Sequence, residues 1–345
     1  MKKLCQVLRD VVRSSPYEIF ERGKDFKKGV WRLVMARLSS TGDMMVMVQM
    51  TTLSEEDRQK FSKLVVDAMV AAEIGVVSVY LQCNDEVCDA ARPSAVLHHV
   101  HGQPQLRMPL LGLDFLIGPL SFYQANSRTC ELLYSRALDW LAPSEASVVL
   151  DVCCGVGTIG LCASKRCRQV IGLELIPEAV ESAKANAALN GVKNTDWKVG
   201  RAEEVLAGVL EALDPSLEVC AVVDPPRPGL HATVLGALRS CPQLSRIVYV
   251  SCNPESLVED IVKLTLPRES DEDPFVPVRA VACDMFPHTM HCEMILLLER
   301  RSKVADPRPK GAALAEEAQA AKEARKVAFE ASGAGDEACD AGAGA

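Results

Sequence analysis

Long hydrophobic runs are what this chain most plainly lacks. Its longest apolar stretches, around residues 147–154 and 294–298, fall far short of the roughly 20 residues that a membrane-spanning helix needs, so no membrane span is expected. Excess positive charge is also missing. A formal net charge of -8 argues against a protein that grips nucleic acid by bulk electrostatics, since phosphate binding recruits clustered Lys and Arg. Any RNA would have to meet a local basic surface or receive help from outside the chain. The densest basic run lies within residues 22–37, with Lys24, Lys27, Lys28 and Arg32, and is read as a solvated face.

A third absence concerns cysteine spacing. There are 14 cysteines but no C-x-x-C pair, and Cys83 with Cys88 or Cys162 with Cys167 has no partner at zinc or iron–sulfur spacing. Scattered along a chain without a secretory signal, they do not form a disulfide scaffold, and a reducing compartment fits them better. His98, His99 and His101, in what reads as a polar, Pro-containing loop, likewise lack acidic or thiol partners at metal spacing and are read as solvated.

With 345 residues and 48% apolar content, the chain can bury a sizeable core, and its length accommodates two domains and a tail. Residues 1–120 read as a small α+β module that begins abruptly. It has a first helix over 1–14 and strands at 31–37, 44–50 and 76–82. A helix lies between the last two, started by Ser54 with Asp57 as a capping pair and stopped by Gly75. Residues 121–302 read as a catalytic domain. Within it, from Ser127, helices alternate with short apolar strands, the pattern of a doubly wound parallel sheet. Strands are expected at 147–153, 169–175, 196–199, 219–224 and 246–251, with two more at 278–283 and 291–299. The helix over 177–190 has Pro177 at its first position and Gly191 just past its end. Residues 303–345 are rich in Ala, Glu, Lys and Gly and read as a low-complexity tail, disordered or part-helical over 312–331.

Asp151-Val-Cys-Cys-Gly155-Val-Gly157-Thr-Ile-Gly160 follows the first strand of that alternation, so G-x-G-x-x-G stands between a strand and a helix. Glycines there let the backbone approach a ligand, and an acid at the end of the next strand, here Glu174, can hold ribose hydroxyls. A nicotinamide dehydrogenase and a methyltransferase would both use this arrangement. Two features favour the methyltransferase. The D-x-C-C-G-x-G form is similar to the first motif of class I methyltransferases, and Asp224-Pro225-Pro226-Arg227 ends the fourth strand, where two prolines turn the chain out over the ligand crevice.

Ser251-Cys252-Asn253-Pro254 ends the fifth strand, placing Cys252 beside the Asp224 loop at the same sheet edge. Most cysteines in so cysteine-rich a chain are inert core residues, and position is what singles this one out. Near the end stands Asp284-Met-Phe-Pro-His-Thr-Met-His291-Cys292-Glu293, in which His291 and Glu293 are expected on one face of the last strand. A metal reading of His288, His291, Cys292 and Glu293 is disfavoured because adjacent strand residues point to opposite faces.

These segments, with Ser121-Phe-Tyr-Gln124-Ala-Asn126, span about half of the chain, and in this order they resemble the RNA (uracil-5-)-methyltransferase family. The resemblance implies a Rossmann-like class I S-adenosylmethionine-dependent fold with a seven-stranded, mostly parallel sheet behind the α+β module. It implies that Gln124, Cys153, Thr158, Glu174 and Asp224 line the S-adenosylmethionine site, that Cys252 is the nucleophile and that Glu293 is the proton acceptor. It also implies tRNA as partner, its T-loop uridine as target and 5-methyluridine as product, in the cytosol or nucleus. Family members carry an N-terminal RNA-binding module, so the chain resembles a shortened form.

The chemistry explains the residue types. Carbon 5 of uracil is a poor nucleophile until a thiolate adds to carbon 6 and pushes electrons into the ring; a base must then take the carbon 5 proton so that the thiol can leave. A thiol with its ordinary pKa of about 8.5 is little ionised at neutral pH, so an activating environment is expected around Cys252. Arg227 stands where a 5-methylcytidine enzyme would carry a second cysteine. A ribosomal RNA uridine methyltransferase and a non-catalytic RNA-binding factor that keeps the fold remain the alternatives.

Overall fold

The computed structural model describes residues 1–21, 29–86, 95–266 and 273–304. The expected tail lies almost wholly outside the described residues, as do Lys24, Lys27, Lys28 and Cys88 of the sequence reading.

The chain opens with α1 (Lys2–Ser14), which buries Leu4 and Val11. Four strands, β1 (Trp31–Leu38), β2 (Met44–Met50), β3 (Val76–Cys83) and β4 (Val96–Gly102), form a sheet in that order, with α2 (Glu55–Ala71) crossing between the parallel pair β2 and β3. Ser54 caps α2 as expected, accepting from the Asp57 amide at 3.2 Å. The helix stops short of Gly75: Glu73 takes the left-handed turn, and Gly75 instead meets the Gly42 carbonyl, where a Cβ would sit 2.8 Å away.

Two corrections belong here. His98, His99 and His101 lie on β4, not in a loop, because the run pairs with β3 in register, Leu81 opposite His98 and Tyr80 opposite His99. Arg32 and Arg37 do not form a solvated face: Arg32 binds the carbonyls of Asn84 and Glu86, and Arg37 binds that of Ser121. A guanidinium with several donors is well suited to tying carbonyls together.

A hairpin, β5 (Leu106–Leu110) and β6 (Leu113–Ile117), was not foreseen. It leads to α3 (Ser127–Leu141) and a second sheet, built from β7 (Val148–Val152), α4 (Thr158–Ala163), β8 (Gln169–Glu174), α5 (Pro177–Leu189), β9 (Thr195–Val199), α6 (Ala202–Glu211), β10 (Val219–Val223), α7 (Ala232–Ser240), β11 (Leu244–Ser251), α8 (Pro254–Thr265), β12 (Phe275–Cys283) and β13 (Glu293–Arg300). The strand order is β12-β13-β11-β10-β7-β8-β9, and only β13 runs against the others. The five parallel strands β7–β11 fall where alternation placed them. Their centre is apolar on both sides, as β7 and β10 are buried throughout. Pro277 sits on β12, an edge strand that tolerates the missing donor.

Asn186 of α5 and Asn190 at its C-cap bind the hairpin to this sheet. The amides of Asp114 and Leu116 donate to Asn190 Oδ1 and Asn186 Oδ1 at 2.9 and 2.8 Å. Asn186 Nδ2 also donates to the Val156 carbonyl at 3.2 Å, so one buried side chain fixes both the hairpin and the glycine loop. Met45, Met47 and Tyr80 of the first sheet pack into the same core as the hairpin and α3.

Candidate active site

Strand order reverses at β7, whose neighbours β8 and β10 carry the chain in opposite directions. A crevice necessarily opens above the carboxyl ends of such a pair. There a cleft of about 980 Å3 is lined by Gln124, Cys153, Thr158, Glu174, Asp224, Cys252 and Glu293, all seven residues singled out from the sequence.

The glycine loop is held from both sides. Below it, Asp151 is buried and its Oδ2 accepts from the Gly160 amide at 2.7 Å; a Cβ on Gly160 would lie 2.7 Å from that same oxygen, so only glycine fits. Burial pushes Asp151 up to about 7. Cys153 adopts a left-handed φ of 67°, and the amides of Cys153 and Cys154 both donate to the Leu173 carbonyl, at 2.9 and 3.0 Å. The backbone thus turns sharply at Cys153, whose side chain is half-buried in the cleft wall.

Glu174, at the end of β8, is oriented by two amides: Gly155 donates to Oε2 and Ile176 to Oε1, each at 2.9 Å. A carboxylate oxygen has more than one lone pair, so capacity remains for a ligand's hydroxyls. Thr158 Oγ1 lies 3.2 Å from the Tyr134 hydroxyl, and Gln124 is buried in the wall. Tyr134, on α3, is a lining residue that nothing in the sequence singles out. A tyrosine on an amphipathic helix looks like core until the fold turns it toward a loop.

Asp224 continues β10 and is tied by its own amide to the Val152 carbonyl at 3.2 Å. Burial, then the charges of Glu293 and Asp151, push its carboxyl up to about 8. Glu293 is the first residue of β13, opposite Cys283. It is 3% exposed, its Oε2 has no partner, and burial pushes it up to about 7. A carboxyl stripped of water and partners disfavours its charged form, the condition under which it serves as a base near neutral pH. His291 does not share its strand: the chain before Glu293 is a turn in which the Thr289 amide donates to the Phe286 carbonyl and His288 has a φ of 65°. His291 is exposed and reaches the cleft rim from that turn.

Cys252 is half-buried between β11 and α8, whose N-cap is Asn253. The activating environment expected for it is only partly present. Burial first, then Glu293 and Asp224, push the thiol up, and the positive charge of Arg227, on the loop after β10, opposes them. The sequence called for activation from chemistry alone; the tertiary structure puts two carboxyls beside the sulfur.

A parallel sheet closed by one reversed strand, with its ligand cleft at the switch point and an acid ending β8, defines the class I S-adenosylmethionine-dependent methyltransferase fold. Residues 117–301 match the family model described as tRNA (Uracil-5-)-methyltransferase, and the chain belongs to that family. It is 36% identical over 306 residues to the tRNA (uracil-5-)-methyltransferase homolog A of Mus musculus, covering 87% of this chain and 49% of that protein. It is also 36% identical over 312 residues to homolog B of Danio rerio, covering 87% of this chain and 64% of the relative. The chain therefore spans about half the length of the homolog A proteins it matches. Among solved structures it is similar to the tRNA (uracil-54, C5)-methyltransferase of Pyrococcus abyssi in complex with S-adenosyl-L-homocysteine. That likeness has a TM-score of 0.66 at 25% identity and covers 86% of this chain and 66% of the other. Family membership removes the nicotinamide dehydrogenase reading of the glycine loop.

Proposed function

We propose that this chain methylates carbon 5 of a uridine in RNA, with Cys252 as nucleophile, Glu293 as base and the T-loop uridine of tRNA as target. One observation carries the reading: a thiol and a buried carboxyl with an unpartnered oxygen line the same cleft as the glycine loop. The relatives are named for tRNA, which supports that substrate. Residues 121–302 would carry the chemistry.

The lining suits S-adenosylmethionine. Gly155 leaves open space where a Cβ would stand, Leu175 and Ile176 offer exposed apolar surface for a purine, and Glu174 is set to receive ribose hydroxyls. Asp224 and Glu293 lie on the inner wall, and their ionised forms would favour a sulfonium. Gln124, Cys153 and Thr158 complete the wall. When bound, this cofactor supplies a methyl group made electrophilic by the sulfonium.

The remaining work falls to the chain. Cys252 thiolate adds to carbon 6, forming a C–S bond and moving the ring's electrons to carbon 5. After carbon 5 is methylated, ionised Glu293 takes its proton, the electrons return to the ring double bond, and the C–S bond breaks to restore Cys252. The target must leave its stack, since neither face of carbons 5 and 6 is accessible within a helix. The described cysteines are all unpaired, which suits a reducing compartment, and the cytosol or nucleus is the proposed location.

The test is incubation with methyl-labelled S-adenosylmethionine and unmodified tRNA or ribosomal RNA transcripts, followed by nucleoside analysis. Label in 5-methyluridine of tRNA, abolished by Cys252→Ala, is the expected result. Label only with ribosomal RNA would reassign the substrate. Cofactor binding without any product would favour a non-catalytic RNA-binding role.

A further inference from the structure

What gives Cys252 its counter-charge is the question the site itself raises. Glu293 from β13 and Asp224 from the end of β10 both face the thiol and oppose its ionisation, and His291 reaches the same cleft from the preceding turn. Arg227 lines the same cleft as Cys252 and is the cation there that acts in favour. Its side chain is exposed, and a free arginine on a loop would spend much of its time in water.

The backbone of this arginine is not free. Asn253 Nδ2 donates to the Arg227 carbonyl at 3.0 Å, while Asn253 Oδ1 accepts from the Glu255 amide at 3.2 Å. One side chain therefore caps α8 and seizes the loop after β10. Asn253 is itself fixed next to Cys252, since Ser251 Oγ accepts from its amide at 3.1 Å and donates to its carbonyl at 2.9 Å. The far end of the loop is held by the same helix: the Leu230 amide donates to buried Asp260 Oδ2 at 2.7 Å. Gly229, with φ 83°, permits this approach, because a Cβ there would stand 2.6 Å from that oxygen.

We propose that Asn253 is a positioning residue: by bonding the Arg227 carbonyl from the N-cap of α8, it holds the Arg227 guanidinium against the Cys252 thiol and so gives the thiolate its counter-charge. The proposal rests on Cys252 being the nucleophile. Capping alone would need only an acceptor, which serine supplies about as well as asparagine. The amide's second function, a donor aimed at the neighbouring loop, is what serine cannot reproduce.

The experiment is the pH profile of Cys252 alkylation by iodoacetamide in the full chain, read on the Cys252 peptide by mass spectrometry, without RNA or cofactor. The variants are Asn253→Ser, Arg227→Gln and the double variant, each with its thermal melt. Asn253→Ser keeps the cap, and Arg227 is exposed, so the fold is preserved in both. Each single variant is expected to raise the midpoint by about half to one pH unit, slowing alkylation near neutrality by about three- to tenfold. The double variant should add nothing, since both act through one interaction. A wild-type profile in Asn253→Ser, with Arg227→Gln shifted, would reduce Asn253 to a cap. An unshifted Arg227→Gln, or additive shifts, would also overturn the proposal. Because this readout needs no turnover, a chain that methylates nothing but shows the shifts would refute the methyltransferase reading and leave the clamp standing.

Discussion

Glu293 concentrates the proposed chemistry at the residue scale, because its Oε2 is buried without a partner and its carboxyl is pushed up to about 7. A base works only when ionised, and the upward-shifted Cys252 thiol must ionise too, so turnover of 5-methyluridine is expected to rise with pH through about 7 and to keep rising above it. Glu293→Gln keeps the shape but cannot accept the proton. Cys252 should then still add to carbon 6, while product release slows by about 10²–10⁴-fold. A covalent protein–RNA species that survives denaturing electrophoresis would accumulate; rapid turnover by this variant would remove Glu293 from the mechanism.

Elements set where those residues stand. The loop after β10 is tied to α8 by Asp260, which accepts from both the Leu230 amide and the Tyr249 hydroxyl at 2.7 Å, with Lys263 at 3.5 Å from its other oxygen. Asp260→Leu leaves two buried donors without an acceptor and is expected to cost about 2–4 kcal/mol in urea denaturation. Asp260→Asn retains an oxygen and should cost distinctly less. In the glycine loop, Gly157 has φ 81°, and a Cβ would lie 2.8 Å from the Trp197 ring and 3.0 Å from Ala183. Gly157→Ala should lose about 1–3 kcal/mol of stability from strain and overpacking. It should also weaken S-adenosylmethionine binding in calorimetry, because the loop must shift.

For the molecule as a whole, the cleft's acids make stability depend on pH in an unusual direction. Asp151, Asp224 and Glu293 are raised to about 7, 8 and 7, whereas unfolded carboxyls titrate near about 4. Between those values the native state holds more protons than the unfolded one, so their contribution to stability falls as pH rises. Asp224→Asn should therefore melt above wild type at pH 8, with the gap narrowing toward a pH of about 4; an equal gap at all pH values would refute the linkage. The shared core of the two sheets yields a second expectation. Trp31 reports the first sheet, and Trp140 and Trp197 the second, so tryptophan fluorescence and far-UV circular dichroism should follow one coincident unfolding transition.

The parallel strands β7–β11, the helix starts at Ser54 and Pro177, and the order of the acid and thiol motifs were legible in the chain itself. Their signals are local: alternating apolar runs, capping residues, and prolines that end a strand. The β5–β6 hairpin was not legible, because its short strands are stabilised by Asn186 and Asn190, 70 and 76 residues away from the amides they bind. His291 could not be separated from Glu293 by alternation alone, since a turn at His288 decides where β13 begins. The residue types needed for the chemistry were thus determined by the sequence. The shifted acidity of Glu293 and Asp224, the opposition they present to the Cys252 thiol, and the grip of Asn253 on the Arg227 loop were decided only by tertiary structure, because burial and charge proximity arise between segments that meet only once the sheet is assembled.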